Sequence, residues 1–113
     1  VTTNPGIKEI DVRGDAADLI DLSRSSELES LVCNYSNRKS LNLSRCNKLT
    51  YLECVGNSHL KKLAVSNNSM LKEVLLEGTE LDSKSLKYLR ATLKRNRDNN
   101  DDKDGQLRIE FEI

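Results

Sequence analysis

Leu28-Glu29-Ser30-Leu31-Val32-Cys33 and Leu49-Thr50-Tyr51-Leu52-Glu53-Cys54 are one six-residue pattern written twice, 21 residues apart. Working outward, Ile7, Leu28, Leu49 and Leu71 recur at steps of 21, 21 and 22. Ile10, Leu31, Leu52 and Val74 keep the same steps, as do Val12, Cys33, Cys54 and Leu76. Halfway between runs a second phase, Ile20, Leu41 and Leu63, followed two residues later by Leu22, Leu43 and Val65. An apolar-x-apolar stretch is a strand with one side of its backbone turned inward. A fixed period near 21 residues is the signature of a solenoid. The pattern predicts a parallel first-phase sheet with strands near 9–13, 30–34, 51–55, 73–77 and 106–112. Ile10, Leu31, Leu52 and Val74 should form one buried column.

Turn residues punctuate each half-coil: Gly14-Asp15, Ser25-Ser26, Ser36-Asn37, Cys46-Asn47, Gly56-Asn57, Asn67-Asn68 and Gly78-Thr79. Asp15, Ser25, Ser36, Cys46, Asn57, Asn68 and Thr79 stand three residues past the last inward apolar position. Small polar side chains there bond turn backbone, as in the asparagine ladder of a stacked solenoid. Ala17 and Arg38 fall where the third coil has Leu60, and Ser25, Ser36 and Cys46 replace ladder asparagines, so the second-phase edges are expected to be irregular.

On these residues the chain resembles the secreted, internalin-like leucine-rich-repeat proteins of anaerobic bacteria. Leu28 to Cys33 and Leu49 to Cys54 look like their L-x-x-L-x-C element; Leu41-Asn42-Leu43-Ser44 and Val65-Ser66-Asn67-Asn68 look like their L-x-L-S-x-N element. The match covers about residues 7–81. The resemblance implies an α/β leucine-rich-repeat solenoid of short parallel strands, placed outside a bacterial cell, that binds protein or glycan and catalyses nothing.

Beyond Thr79 the period changes. Asp82 is a candidate N-cap, with Leu81 and Leu86 spaced as a hydrophobic staple. Leu86, Leu89 and Leu93 then make an apolar helical stripe, and Lys94, Arg95 and Arg97 suit the negative end of the helix dipole. A polar loop at 98–105 follows. Leu107, Ile109, Phe111 and Ile113 alternate with Arg108, Glu110 and Glu112, the pattern of a half-buried strand. Residues 82–113 are therefore expected to be a C-terminal helix-strand cap that seals the last coil. All 113 residues form one domain on this reading.

Composition narrows the function. Eighteen basic residues balance 18 acidic ones, so no general attraction to nucleic acid is implied. No apolar run is long enough to span a membrane. The chain opens at Val1 without a visible signal peptide, which fits a secreted protein whose leader is gone or a trimmed chain. With no C-x-x-C pair and a single histidine, His59, zinc ligation is not expected. Cys33 and Cys54 are read as small inward hydrophobes whose parallel side chains suit a disulfide poorly. Asn100-Asp101-Asp102-Lys103-Asp104-Gly105 resembles the start of a calcium loop, but its twelfth residue is Phe111 in place of a bidentate Glu. A solvated acidic turn is the reading taken, with weak calcium binding as the alternative. No catalytic set or cofactor motif can be assembled.

What remains is the outward face of the first-phase sheet. Stacking places Tyr51 between Ser30 and Glu73, and Glu53 between Val32 and Leu75. Val32, Tyr51, Glu53, Val55, Glu73 and Leu75 are the candidate binding residues, because a partly apolar patch rimmed by charge suits an interface. The ligand expected is a protein or surface glycan, with Tyr51 as the exposed central anchor. The alternative is a solvated sheet face on a spacer domain of a larger surface protein.

Overall fold

The computed structural model describes residues 4–66, 68–99 and 108–110. In chain order its elements are β1 (Glu9–Arg13), α1 (Asp15–Leu19), β2 (Ser30–Asn34), β3 (Ser40–Asn42), β4 (Tyr51–Glu53), β5 (Lys62–Ala64), β6 (Glu73–Leu75), α2 (Ser83–Asn99) and β7 (Arg108–Glu110). They stack as a repeat solenoid of about three turns that ends in a helix. One sheet has five parallel strands in the order β1-β2-β4-β6-β7, and a second pairs β3 with β5. The first-phase register is the predicted one: Ile10 lies opposite Leu31, Leu31 opposite Leu52, and Leu52 opposite Val74.

That register follows from burial. Leu28, Leu31, Leu49, Leu52, Leu71 and Val74 are all 0% exposed, and Ile10 closes the column at 7%. Burying each such side chain stabilises the fold by about 1.5–3 kcal/mol. A one-residue slip would turn the whole inward set out to solvent.

Buried amides and hydroxyls hold the turns between coils. Ser36 N donates to Asn57 Oδ1 at 2.9 Å, and Ser36 Oγ donates to the same oxygen. Asn57 N donates to Thr79 Oγ1 at 3.0 Å, and Asn57 Nδ2 donates to Cys33 O at 3.0 Å. Thr79 Oγ1 completes the run by donating to Cys54 O. On the second-phase side Asn68 Nδ2 donates to Leu43 O and Cys46 O, both at 2.9 Å. Asn96 of α2 then donates to Asn68 O at 2.8 Å and Leu71 O at 2.9 Å. The helix therefore extends the ladder as well as covering the coil.

The first coil departs from the prediction. In place of a strand through Ile20 and Leu22 it forms α1 and a single bridge residue, Asp21. Gly14, at φ 61°, turns the chain into that helix, so Asp15 is exposed in its first turn and takes no ladder role. Ala17 is small enough to be fully buried there. The C-terminal carbonyls of so short a helix lack intrahelical partners. Arg38, from the next coil, supplies them: its Nη1 donates to Ile20 O at 2.9 Å, Ala17 O at 3.3 Å and Asp18 O at 3.4 Å. Asp18 in return accepts from Asn37 N at 2.6 Å.

Other boundaries shift. β4 and β6 stop at Glu53 and Leu75, short of the predicted 55 and 77. Coil-to-coil bonding continues past β4, but partly through a side chain: Asn34 Oδ1 accepts from Val55 N at 2.9 Å while Tyr35 N donates to Val55 O at 2.9 Å. The second coil's tight turn is at Tyr35-Ser36, one residue before the predicted Ser36-Asn37. At the C-terminal end Asp82 caps α2 as expected, its Oδ1 accepting from Ser85 N at 2.8 Å. Leu89 and Leu93 are buried. α2 runs on through Asp98, which pairs with Lys94 at 3.1 Å, so the predicted loop at 98–105 begins later than expected. β7 pairs parallel with β6. The acidic turn at 100–105 and the remainder of the predicted strand at 106–112 lie outside the described residues.

Candidate functional site

Two cross-strand rows make the outward face of the five-stranded sheet. Glu9, Ser30, Tyr51 and Glu73 are in register in one row; Asp11, Val32, Glu53 and Leu75 are in register in the next. Strand alternation turns both rows away from the buried column. Five of the six predicted residues, Val32, Tyr51, Glu53, Glu73 and Leu75, are thus brought together; Val55 lies past the end of β4, its N–H bonded to Asn34. Val32, Tyr51, Glu53, Val55, Glu73 and Leu75 are all half-buried, while Glu9, Asp11 and Arg13 at the β1 edge are exposed.

Tyr51 is not the free, exposed anchor that the sequence predicts. Its hydroxyl donates to Glu53 Oε1 at 2.5 Å, which draws the side chain down along its own strand. The other oxygen, Oε2, accepts from Asn34 Nδ2 at 2.7 Å. Both donors favour the ionised carboxylate, so Glu53 is held below its ordinary pKa, the Tyr51 bond contributing most, then Asn34, with a smaller part from Arg13. Asn34 in turn is pinned through its Oδ1 to Val55 N. The centre of the face is therefore a fixed carboxylate between two aliphatic side chains.

Two residues of this region were missed in the sequence. Asn34 sits at an outward strand position yet is only 4% exposed. It stands where neighbouring coils have Arg13 and Val55, and its amide supplies both the donor and the acceptor that this position uses. Tyr35 is 57% exposed and has φ 56°. The signal for it was present: 14, 35, 56 and 78 keep the repeat steps, and the other three residues are glycines.

Chemistry based on thiols finds no support. Cys33, Cys46 and Cys54 are free and buried. Burial pushes all three thiols up, Cys46 to about 11. A nucleophilic cysteine needs the opposite environment. His59 is exposed in the turn after β4. Among the described residues no group of three His, Cys, Asp or Glu side chains could hold a metal ion, and no helix is long and apolar enough to cross a membrane. A groove on the second-phase edge is lined by Ile20, Leu22, Arg38, Leu41, Asn42 and Arg45, but the Arg38 guanidinium there already serves the carbonyls of the first coil. No family model, curated protein or solved structure matches this chain.

Proposed function

We propose that the chain is a leucine-rich-repeat recognition module of the internalin-like kind, which binds a protein or surface glycan on the outward face of its five-stranded sheet and performs no reaction. The observation that carries this reading is the gathering of Val32, Tyr51, Glu53, Glu73 and Leu75 on one face around a carboxylate fixed by Tyr51 and Asn34, with Val55 bonded to that same Asn34. A half-apolar centre with a charged rim has the composition of an interface, and groups already held in place lose less freedom when a ligand docks. The repeat type, and a working place at or outside a bacterial surface, are inferred from the L-x-x-L-x-C and L-x-L-S-x-N elements and their 21-residue spacing.

The test is a titration of surface proteins and glycans with wild type, Tyr51→Ala and Asn42→Ala. Tyr51→Ala removes aromatic area and releases Glu53, so it should weaken binding by about 2 kcal/mol, while Asn42→Ala, on β3, leaves it unchanged. Equal binding by wild type and Tyr51→Ala would move the site off this face. No binding by any of the three would favour a spacer domain without a ligand of its own.

A further inference from the structure

We infer that the ligand of this face is a protein segment that presents a Lys or Arg side chain, received by the row Val32, Glu53 and Leu75 with Glu53 as its counter-charge; this rests on the recognition reading above. The first support is the sign of the face. Its outward strand positions on β1, β2, β4 and β6 carry the carboxylates Glu9, Asp11, Glu53 and Glu73 against the single cation Arg13. The chain as a whole is neutral, so this excess marks the face and not the bulk. Beyond β6, Arg108 and Glu110 of β7 lie in register with Glu73 and Leu75.

The second support is how Glu53 is satisfied. Both of its oxygens accept from neutral groups, the Tyr51 hydroxyl and the Asn34 amide. Among the described residues no cation forms an ion pair with Glu53; the pairs Lys48–Glu27, Lys94–Asp98 and Arg97–Asp98 lie elsewhere. An ionised carboxylate has about four acceptor sites, and two are used here. A half-buried, ionised, oriented acceptor without a cation in contact is complementary to an incoming ammonium or guanidinium. Hydrogen bonds to such a charge are about twice as strong as neutral ones.

The third support is the flanks. Val32 and Leu75 are the direct register neighbours of Glu53 on β2 and β6, each about 4.8 Å away across the sheet. Both are half-buried aliphatics. Lys and Arg lay their methylene stems on such surfaces while the charged head reaches a partner. An anionic polymer would be repelled by this face, and a neutral glycan would leave Glu53 without its counter-charge.

Fluorescence anisotropy with a short labelled peptide carrying Lys at alternate positions tests this, beside the same peptide with acetyl-lysine, one with Glu, and a neutral oligoglucan. The variants are Glu53→Gln, Glu53→Lys and, as a charge-matched control, Glu80→Gln, with folding checked by circular dichroism. The Lys peptide should bind wild type. Glu53→Gln should weaken it about tenfold and Glu80→Gln by less than about twofold. Acetylation should remove most of the affinity, and Glu53→Lys should transfer preference to the Glu peptide. Equal losses in Glu53→Gln and Glu80→Gln, or no binding of the Lys peptide, would overturn the inference. Binding of the oligoglucan in preference to the Lys peptide would overturn it as well, while leaving the recognition function of the face intact.

Discussion

At Tyr35 the second coil uses a bulky side chain where the other coils use glycine. Its φ of 56° matches Gly14 at 61°, Gly56 at 71° and Gly78 at 72°, a left-handed backbone that costs an L side chain about 1–2 kcal/mol. The ring lies over the next glycine in the stack: a Cβ on Gly56 would stand 2.4 Å from Tyr35 Cδ1. A Cβ on Gly78 would meet Gly56 Cα at 3.3 Å, so the turns are stacked at backbone distance. Gly56→Ala therefore brings two penalties, the strained φ and displacement of the ring. We expect it to destabilise the fold by about 2 kcal/mol, measured by guanidinium denaturation. With Tyr35→Gly in the same chain only the φ penalty remains, and the Gly56→Ala cost should fall to about 1 kcal/mol. An undiminished cost in the Tyr35→Gly background would show that the ring does not press on this position.

The elements divide by where their instructions are written. β1, β2, β4 and β6 were legible because each carries its own inward pair, and the 21-residue step fixes which residue meets which. The candidate face came with them, since alternation decides which side chains point outward. The hydrogen bonds that draw Tyr51 down to Glu53 were not legible, because Asn34, which completes them, lies 19 residues away on another strand. α1 was missed for a related reason. Five residues do not make a stable helix alone, and what completes this one is Arg38, from the following coil. α2 was readable at both levels, by its apolar stripe and its cap. That cap also makes a pH prediction. The backbone hydrogen bond from Ser85 leads the causes that hold the Asp82 carboxyl below its ordinary 3.8. A depressed folded-state pKa contributes stability above the unfolded value and loses it as pH falls through the folded value. Asp82→Ala should therefore lower the thermal midpoint at pH 7, and the gap from wild type should narrow as the pH is taken below the ordinary carboxyl value of 3.8. A gap that stays constant below that pH would show that the carboxylate is not the stabilising form of the cap.

Across the whole molecule, stability is carried from coil to coil, because a solenoid has mainly nearest-neighbour contacts. The leucine column couples coils through apolar area, and the buried run Ser36, Asn57 and Thr79 couples them through hydrogen bonds. Asn57 is the middle member, 1% exposed, serving the coils on both sides. Asn57→Ala would strand Ser36 N and Cys33 O, two backbone groups now bonded to its side chain. A buried polar group left without a partner costs about 1–3 kcal/mol, so a loss of about 2–4 kcal/mol in chemical denaturation is expected. Lost side-chain volume alone predicts a smaller effect, and Thr79 shows how to separate the two. Its hydroxyl accepts from the backbone N–H of one coil and donates to the carbonyl just past β4, Cys54 O, the same pair of tasks that Asn57 performs toward Ser36 N and Cys33 O. Asn57→Thr should thus recover more than half of the stability that Asn57→Ala loses, although the Thr side chain is shorter than that of Asn. Asn57→Val, close to Thr in shape but without the hydroxyl, should behave like the alanine variant. Equal stability of the Thr and Val variants would mean that shape, not the hydrogen-bond run, links the coils here, and that the ladder could be replaced by an apolar column like the one beside it.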